Sequence, residues 1–102
     1  MAISMIQMKG SSYYIIDEKG KQTKSMSVST VGEVLGWGAH FFVARRGGSL
    51  YLYDENGRSY KSLSVSSMGE IVAVSGDTFV ARRGNVLYTY DSTGKQISTR
   101  SA

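Results

Sequence analysis

The sequence predicts an all-β fold built from three repeats. Three observations carry that expectation: a self-similarity of fixed period, short apolar runs with strand spacing, and glycine-centred turns between them. Phe42–Gly57, FVARRGGSLYLYDENG, recurs at Phe79–Gly94 as FVARRGNVLYTYDSTG and, more loosely, at Met5–Gly20 as MIQMKGSSYYIIDEKG. Asp17, Asp54 and Asp91 mark the period, spaced 37 residues apart each time. Residues 24–60 lie over 61–97 without a gap, and 18 of the 37 positions are identical. A repeat of this length is a supersecondary unit that buries its apolar face only against neighbouring units. The 102 residues therefore read as one domain of three units, 1–32, 33–69 and 70–102.

Each full unit predicts four antiparallel strands. The first covers Glu33-Val34-Leu35, repeated at Glu70-Ile71-Val72-Ala73-Val74, short continuous apolar runs suited to burial on both faces. The second covers Phe41 to Arg46 and Thr78 to Arg83, the third Ser49 to Tyr53 and Val86 to Tyr90. The fourth covers Lys24 to Ser29 and Lys61 to Ser66, where Met26 and Val28, or Leu63 and Val65, alternate with serine. That period of two gives one packed and one wet face. Gly10-Ser11, Gly47-Gly48 and Gly84-Asn85 join second to third strands, as pairs able to take the positive φ of a tight hairpin. Asp17 to Gly20, Asp54 to Gly57 and Asp91 to Gly94 join third to fourth, with Asp capping turn amides and Gly taking the left-handed position. No segment holds a helical period beyond one turn, and no proline interrupts a strand.

The first unit starts at its second strand, because Met5 aligns with Phe42, so the expected total is eleven strands. The last strand is weak, since Arg100 aligns with the apolar Leu63. The seam between first and last units is thus the least well specified region.

Composition bounds the function only loosely. With 41% hydrophobic and 20% charged residues the chain is globular in character. No apolar run approaches the roughly 20 residues of a membrane span, and MAISMIQMKG lacks the pattern of a secretory signal, so the expectation is a cytoplasmic protein without a membrane. The absence of cysteine excludes disulfides and thiolate metal sites. A net charge of +4, spread over turns and strand ends, argues against a dedicated nucleic-acid binder.

The four-stranded unit, with its Gly76-Asp77 corner and LYxYDxxGK hairpin, resembles a blade of the β-propeller superfamily. Propellers close on themselves with four to eight blades, so the resemblance implies a homodimer completing a six-bladed ring. The three-repeat count is also similar to the bulb-type lectins of the β-prism class, whose repeats carry Q-x-D-x-N-x-V-x-Y for mannose. Here the aligned positions read Arg45, Gly47, Ser49, Tyr51 and Tyr53, then Arg82, Gly84, Val86, Tyr88 and Tyr90. The sugar-binding Gln, Asp and Asn are replaced in both copies.

No catalytic, metal or cofactor site is expected. His40, the sole histidine, sits at a corner where the next unit has Asp77, and nothing places a serine and an aspartate beside it. The DxxG turns lack the ligand ladder of a calcium loop. The tentative binding residues are Arg45, Arg46, Arg82 and Arg83, with Tyr51, Tyr53, Tyr88, Tyr90 and Trp37. By strand alternation each arginine pair splits, one member facing Glu33 or Glu70 and the other a partner. The tyrosines oppose Leu50, Leu52 and Leu87, so they form either an aromatic recognition stripe or the filling between adjacent sheets. Trp37 replaces Val74 of the repeat, as a plug for the seam or an anchor. The expectation is a non-enzymatic protein-interaction module, with carbohydrate and acidic-polymer or nucleic-acid binding as alternatives.

Overall fold

The computed structural model describes residues 2–101 and holds three antiparallel sheets. Sheet 1 contains β1 (Ile3–Lys9), β2 (Ser12–Asp17) and β3 (Gln22–Ser27). Sheet 2 runs in the order β4 (Glu33–Trp37), β5 (Phe41–Arg46), β6 (Ser49–Asp54) and β7 (Ser59–Ser64). Sheet 3 repeats it with β8 (Glu70–Ser75), β9 (Thr78–Arg83), β10 (Val86–Asp91) and β11 (Gln96–Ser101). Eleven strands, a three-stranded first sheet and an all-β class agree with the repeat reading.

The expected fourth strands differ at their ends. They begin at Gln22 and Ser59, and they stop at Ser27 and Ser64 instead of running on to Ser29 and Ser66. Single helical turns follow, α1 (Val28–Val31) and α2 (Val65–Met68), each closed by a glycine at φ 88° (Gly32) or 85° (Gly69). The alternation of Val28 and Val65 with serine therefore continues a strand pattern into a helical turn. Tertiary packing decides the matter: Val31 and Met68 are buried between sheets, which a continued strand would not achieve. A side chain on Gly32 would also meet the Arg45 carbonyl at 2.4 Å, so the turn is pressed against the next strand.

The hairpins at Gly10, Gly47 and Gly84 have φ of 63–64°, and their second residues are not left-handed, the type II′ pattern. At the opposite end, Asp17 Oδ1 accepts from the amides of Lys19 and Lys21, each at 2.9 Å. Asp54 and Asp91 repeat that pair of bonds, to Asn56 and Arg58 and to Thr93 and Lys95. These bonds hold the Asp17 carboxyl below its usual range, the Lys21 amide leading, and Asp91 is held down likewise, with the Thr93 hydroxyl contributing most.

The core forms two layers between three sheets. Between sheets 1 and 2 lie Ile6, Tyr13 and Ile15 against Phe42, Ala44 and Tyr53. Between sheets 2 and 3 lie Phe41, Val43, Leu50 and Leu52 against Phe79, Ala81 and Tyr90. Sheet 2 is thus buried on both faces, with Phe42, Val43, Ala44 and Leu52 fully enclosed. Phe42 stacks on Tyr53 at 4.8 Å, and Phe79 on Tyr90 at 5.2 Å, a repeated offset pair.

The sheets come closest at their first strands. A Cβ on Gly36 of β4 would lie 2.7 Å from Val74 Cγ2 of β8. The Ala39 peptide ties all three sheets, accepting from Ile3 N and donating to Gly76 O at 2.7 Å. Sheet 1 has no counterpart of β4 among the described residues, and there Trp37 reaches across, its Nε1 donating to Ser4 O of β1 at 3.1 Å. The repeat-breaking tryptophan therefore bridges a junction while itself 37% exposed, so it does not plug one. It spans the junction of sheets 1 and 2, not the seam between first and last units.

Candidate functional site

The register of the strands sorts the charges. All three Gly-centred hairpins lie at one end of the sheets, and all three aspartate turns at the other. The hairpin end carries Lys9, Arg45, Arg46, Arg82, Arg83 and Arg100, against two carboxylates, Glu33 and Glu70. The other six carboxylates (Asp17, Glu18, Asp54, Glu55, Asp77 and Asp91) stand at the aspartate end, among Lys19, Lys21, Arg58 and Lys95, with Lys24 and Lys61 lying against Gly57 and Gly94 of its turns. The net positive charge therefore gathers at the hairpin end, and the aspartate end is balanced.

The arginine pairs split as strand alternation requires, but their second members are not free. Arg46 lies over the Tyr51 ring at 4.6 Å, and its Nη1 donates to the Thr30 carbonyl at the close of α1. Arg83 does the same with Tyr88, at 4.3 Å, and with the Ser67 carbonyl in α2. Each clamps the helical turn entering its sheet, satisfying a carbonyl that a one-turn helix leaves without an internal partner. The Arg46 hydrogen bond holds the Tyr51 hydroxyl below its usual value, and the bond to Tyr88 raises Arg83.

The tyrosines are not an open stripe. Tyr53 and Tyr90 are each only 6% exposed, filling the inter-sheet layers, and burial raises the Tyr53 hydroxyl. Tyr51 and Tyr88 keep their hydroxyls at the rim under the arginines. The physical reason is that a neighbouring sheet covers the tyrosine face, just as another covers the leucine face of sheet 2. Of the two sequence readings, the filling between sheets is the one the geometry shows.

Arg45 and Arg82 are exposed cations facing the other way, with Arg82 Nε donating to Gly84 O at 3.1 Å. Arg45 sits directly across β4 from Glu33, and Arg82 across β8 from Glu70. These pairs are neighbours in register rather than ion pairs; elsewhere His40 Nδ1 lies within hydrogen-bonding distance of Glu55 Oε2, at 3.2 Å. His40 lies at the aspartate end, and its hydrogen bond lowers the Glu55 carboxyl.

A cleft of about 430 Å³ opens at the hairpin end between sheets 2 and 3, walled by Glu33, Arg45 and Glu70 over Leu35, Leu50 and Ile71. Between sheets 1 and 2 the corresponding space is filled by Tyr13, which stands where Leu50 does one repeat later. The Tyr13 hydroxyl donates to Gly32 O at 2.7 Å and accepts from Val34 N at 3.3 Å. The cleft was not anticipated from sequence. The signal for it was the Tyr13-to-Leu50 change at one repeat position.

No group of three or more metal-ligating side chains occurs among the described residues. Among the described residues no helix is long and apolar enough to cross a membrane. No family model matches the chain, and comparison with curated proteins returns no match.

Proposed function

We propose that the protein is a non-enzymatic interaction module whose hairpin end binds an acidic surface or segment of a protein partner. The observation that carries this is the separation of charge between the two ends of the sheets. Arg45 and Arg82, exposed on successive sheets in equivalent positions, present forked donors that pair with carboxylates in a bidentate manner. The cleft offers an apolar floor beside Arg45, the combination of anchor pocket and charged rim that protein interfaces use.

A nucleic acid is less well served by the same end. Tyr51 and Tyr88, which would be stacking platforms, are already covered by Arg46 and Arg83.

Fluorescence anisotropy with a labelled polyglutamate peptide tests the reading. Binding is expected to weaken at least tenfold in the Arg45→Glu, Arg82→Glu double variant and to stay unchanged in Lys19→Glu, Lys95→Glu. Equal loss in both variants, or tighter binding of single-stranded DNA than of polyglutamate at the same salt, would overturn it.

A further inference from the structure

We propose that the outer face of sheet 3 packs on the outer face of sheet 1 of a second copy, and that two copies close head to tail into a ring of six sheets. This goes beyond the acidic-partner reading and does not depend on it. It starts from the way the chain uses its faces. Each internal junction sets one kind of face against another: the face bearing Leu50 and Leu52 meets the one bearing Phe79, Ala81 and Tyr90. One repeat earlier, Tyr13 and Ile15 meet Phe42, Ala44 and Tyr53 in the same way.

One face of each kind is left over. Sheet 3 ends the series with a leucine-type face, on which Val80 and Leu87 stand where Val43 and Leu50 do, both half-buried, with Val72 47% exposed. Sheet 1 begins it with a tyrosine-type face, on which Met5, Gln7, Tyr14 and Ile16 stand where Phe42, Ala44, Tyr51 and Tyr53 do. Met5 is 40% exposed. The two leftover faces are therefore the two halves of a junction the chain already makes twice. Shifted by one repeat, the Phe41–Phe79 contact of 6.2 Å becomes Thr78 against Met5 of the second copy.

Charge selects this arrangement over a face-to-face one. The sheet 3 face bears Arg82 and Arg100 with Glu70 beside Arg82, so two such faces together would oppose a net positive charge on each. The sheet 1 face is uncharged apart from Lys9 at its hairpin end. The inner strands agree as well. Gly36 of β4 and Gly38 just beyond it, which let Val74 and Gly76 approach, are Ala73 and Ser75 one repeat later. Those side chains suit a neighbour that lacks a first strand, as sheet 1 does.

A contact between unlike faces either closes or grows into a filament. Because the sheets approach at their first strands, successive junctions turn about a common axis, and six sheets fall within the range that closed rings of radial sheets adopt.

Sedimentation equilibrium of the full chain over a range of concentrations tests the proposal. The expected mass is twice the 11.1 kDa of one chain. Leu87→Glu and Ile16→Glu are each expected to give monomers whose circular dichroism matches the parent. Mixed in equal amounts they should recover dimer, because one junction of the mixed pair is then wholly wild type. A monomeric parent, masses that rise past the dimer with concentration, or a mixture that stays monomeric would each overturn it.

Discussion

The two faces of sheet 3 differ in what they kept from the repeat. Towards sheet 2, Phe79, Ala81, Tyr88 and Tyr90 restate Phe42, Ala44, Tyr51 and Tyr53 without a change. On the opposite face, Thr78, Thr89 and Arg100 stand where Phe41, Leu52 and Leu63 do in sheet 2. Both faces belong to the same well-formed strands, so strand formation does not demand the apolar residues. Contact with a neighbouring sheet does. On that uncovered face Val80 and Leu87 still keep Val43 and Leu50, while the polar replacements lower the cost of exposing it in the single chain.

The largest effects belong to the doubly covered sheet. Phe42→Ala is expected to cost about 3–5 kcal/mol in urea unfolding, since Phe42 is fully enclosed and stacked on Tyr53. Met5→Ala, at the same repeat position on a free face, should cost less than about 1 kcal/mol in the monomer. Similar costs for the two would erase the distinction between covered and free faces.

An intermediate effect separates the two internal junctions. Tyr13→Phe removes a hydroxyl that satisfies both Gly32 O and Val34 N, and should cost about 1–3 kcal/mol. Tyr13→Leu, which also removes the ring, should widen the junction of sheets 1 and 2 to small apolar probes, as the Leu50 position already is. A junction left unwidened by Tyr13→Leu would mean that the cleft between sheets 2 and 3 owes nothing to the missing tyrosine.

The smallest effect concerns the turns, which do not share the difference between faces. Asp17, Asp91 and Glu55 have folded pKa values depressed by hydrogen bonds, so their contribution is present above the unfolded values and lost as pH falls through the folded ones. Unfolding midpoints should hold steady down to about pH 5 and decline below about pH 4. Asn keeps the acceptor oxygen, so Asp17→Asn and Asp91→Asn should each flatten that decline by a similar amount. A marked inequality would show that the aspartate turns of sheets 1 and 3 are not equivalent after all.

Strand positions, hairpins and aspartate caps were legible in the sequence because each depends on local chemistry: glycine at positive φ, aspartate two and four residues before amides, apolar alternation. The helical turns at Val28 and Val65 were not, since their residues favour strands and only burial of Val31 and Met68 turns the chain. The tyrosine face was legible as a face but not as a covered one. Alternation says which residues point together and is silent about whether another sheet lies above them. The clamp made by Arg46 and Arg83 was hidden for a like reason: its partner carbonyls, on Thr30 and Ser67, lie 16 residues back in the chain. The cleft behind Arg45 depends on four strands of two sheets, and only the Tyr13-to-Leu50 change hinted at it.

One matched pair addresses the central claim. Leu50 and Leu87 are the same residue one repeat apart, the first enclosed between sheets 2 and 3 and the second on the free face of sheet 3. Urea unfolding of Leu50→Ala and Leu87→Ala should be measured across a wide range of protein concentration. Leu50→Ala is expected to lose about 2–5 kcal/mol at every concentration. Leu87→Ala should lose less than about 1 kcal/mol at the lowest concentration and progressively more as copies associate. Equal losses that do not change with concentration would contradict the account.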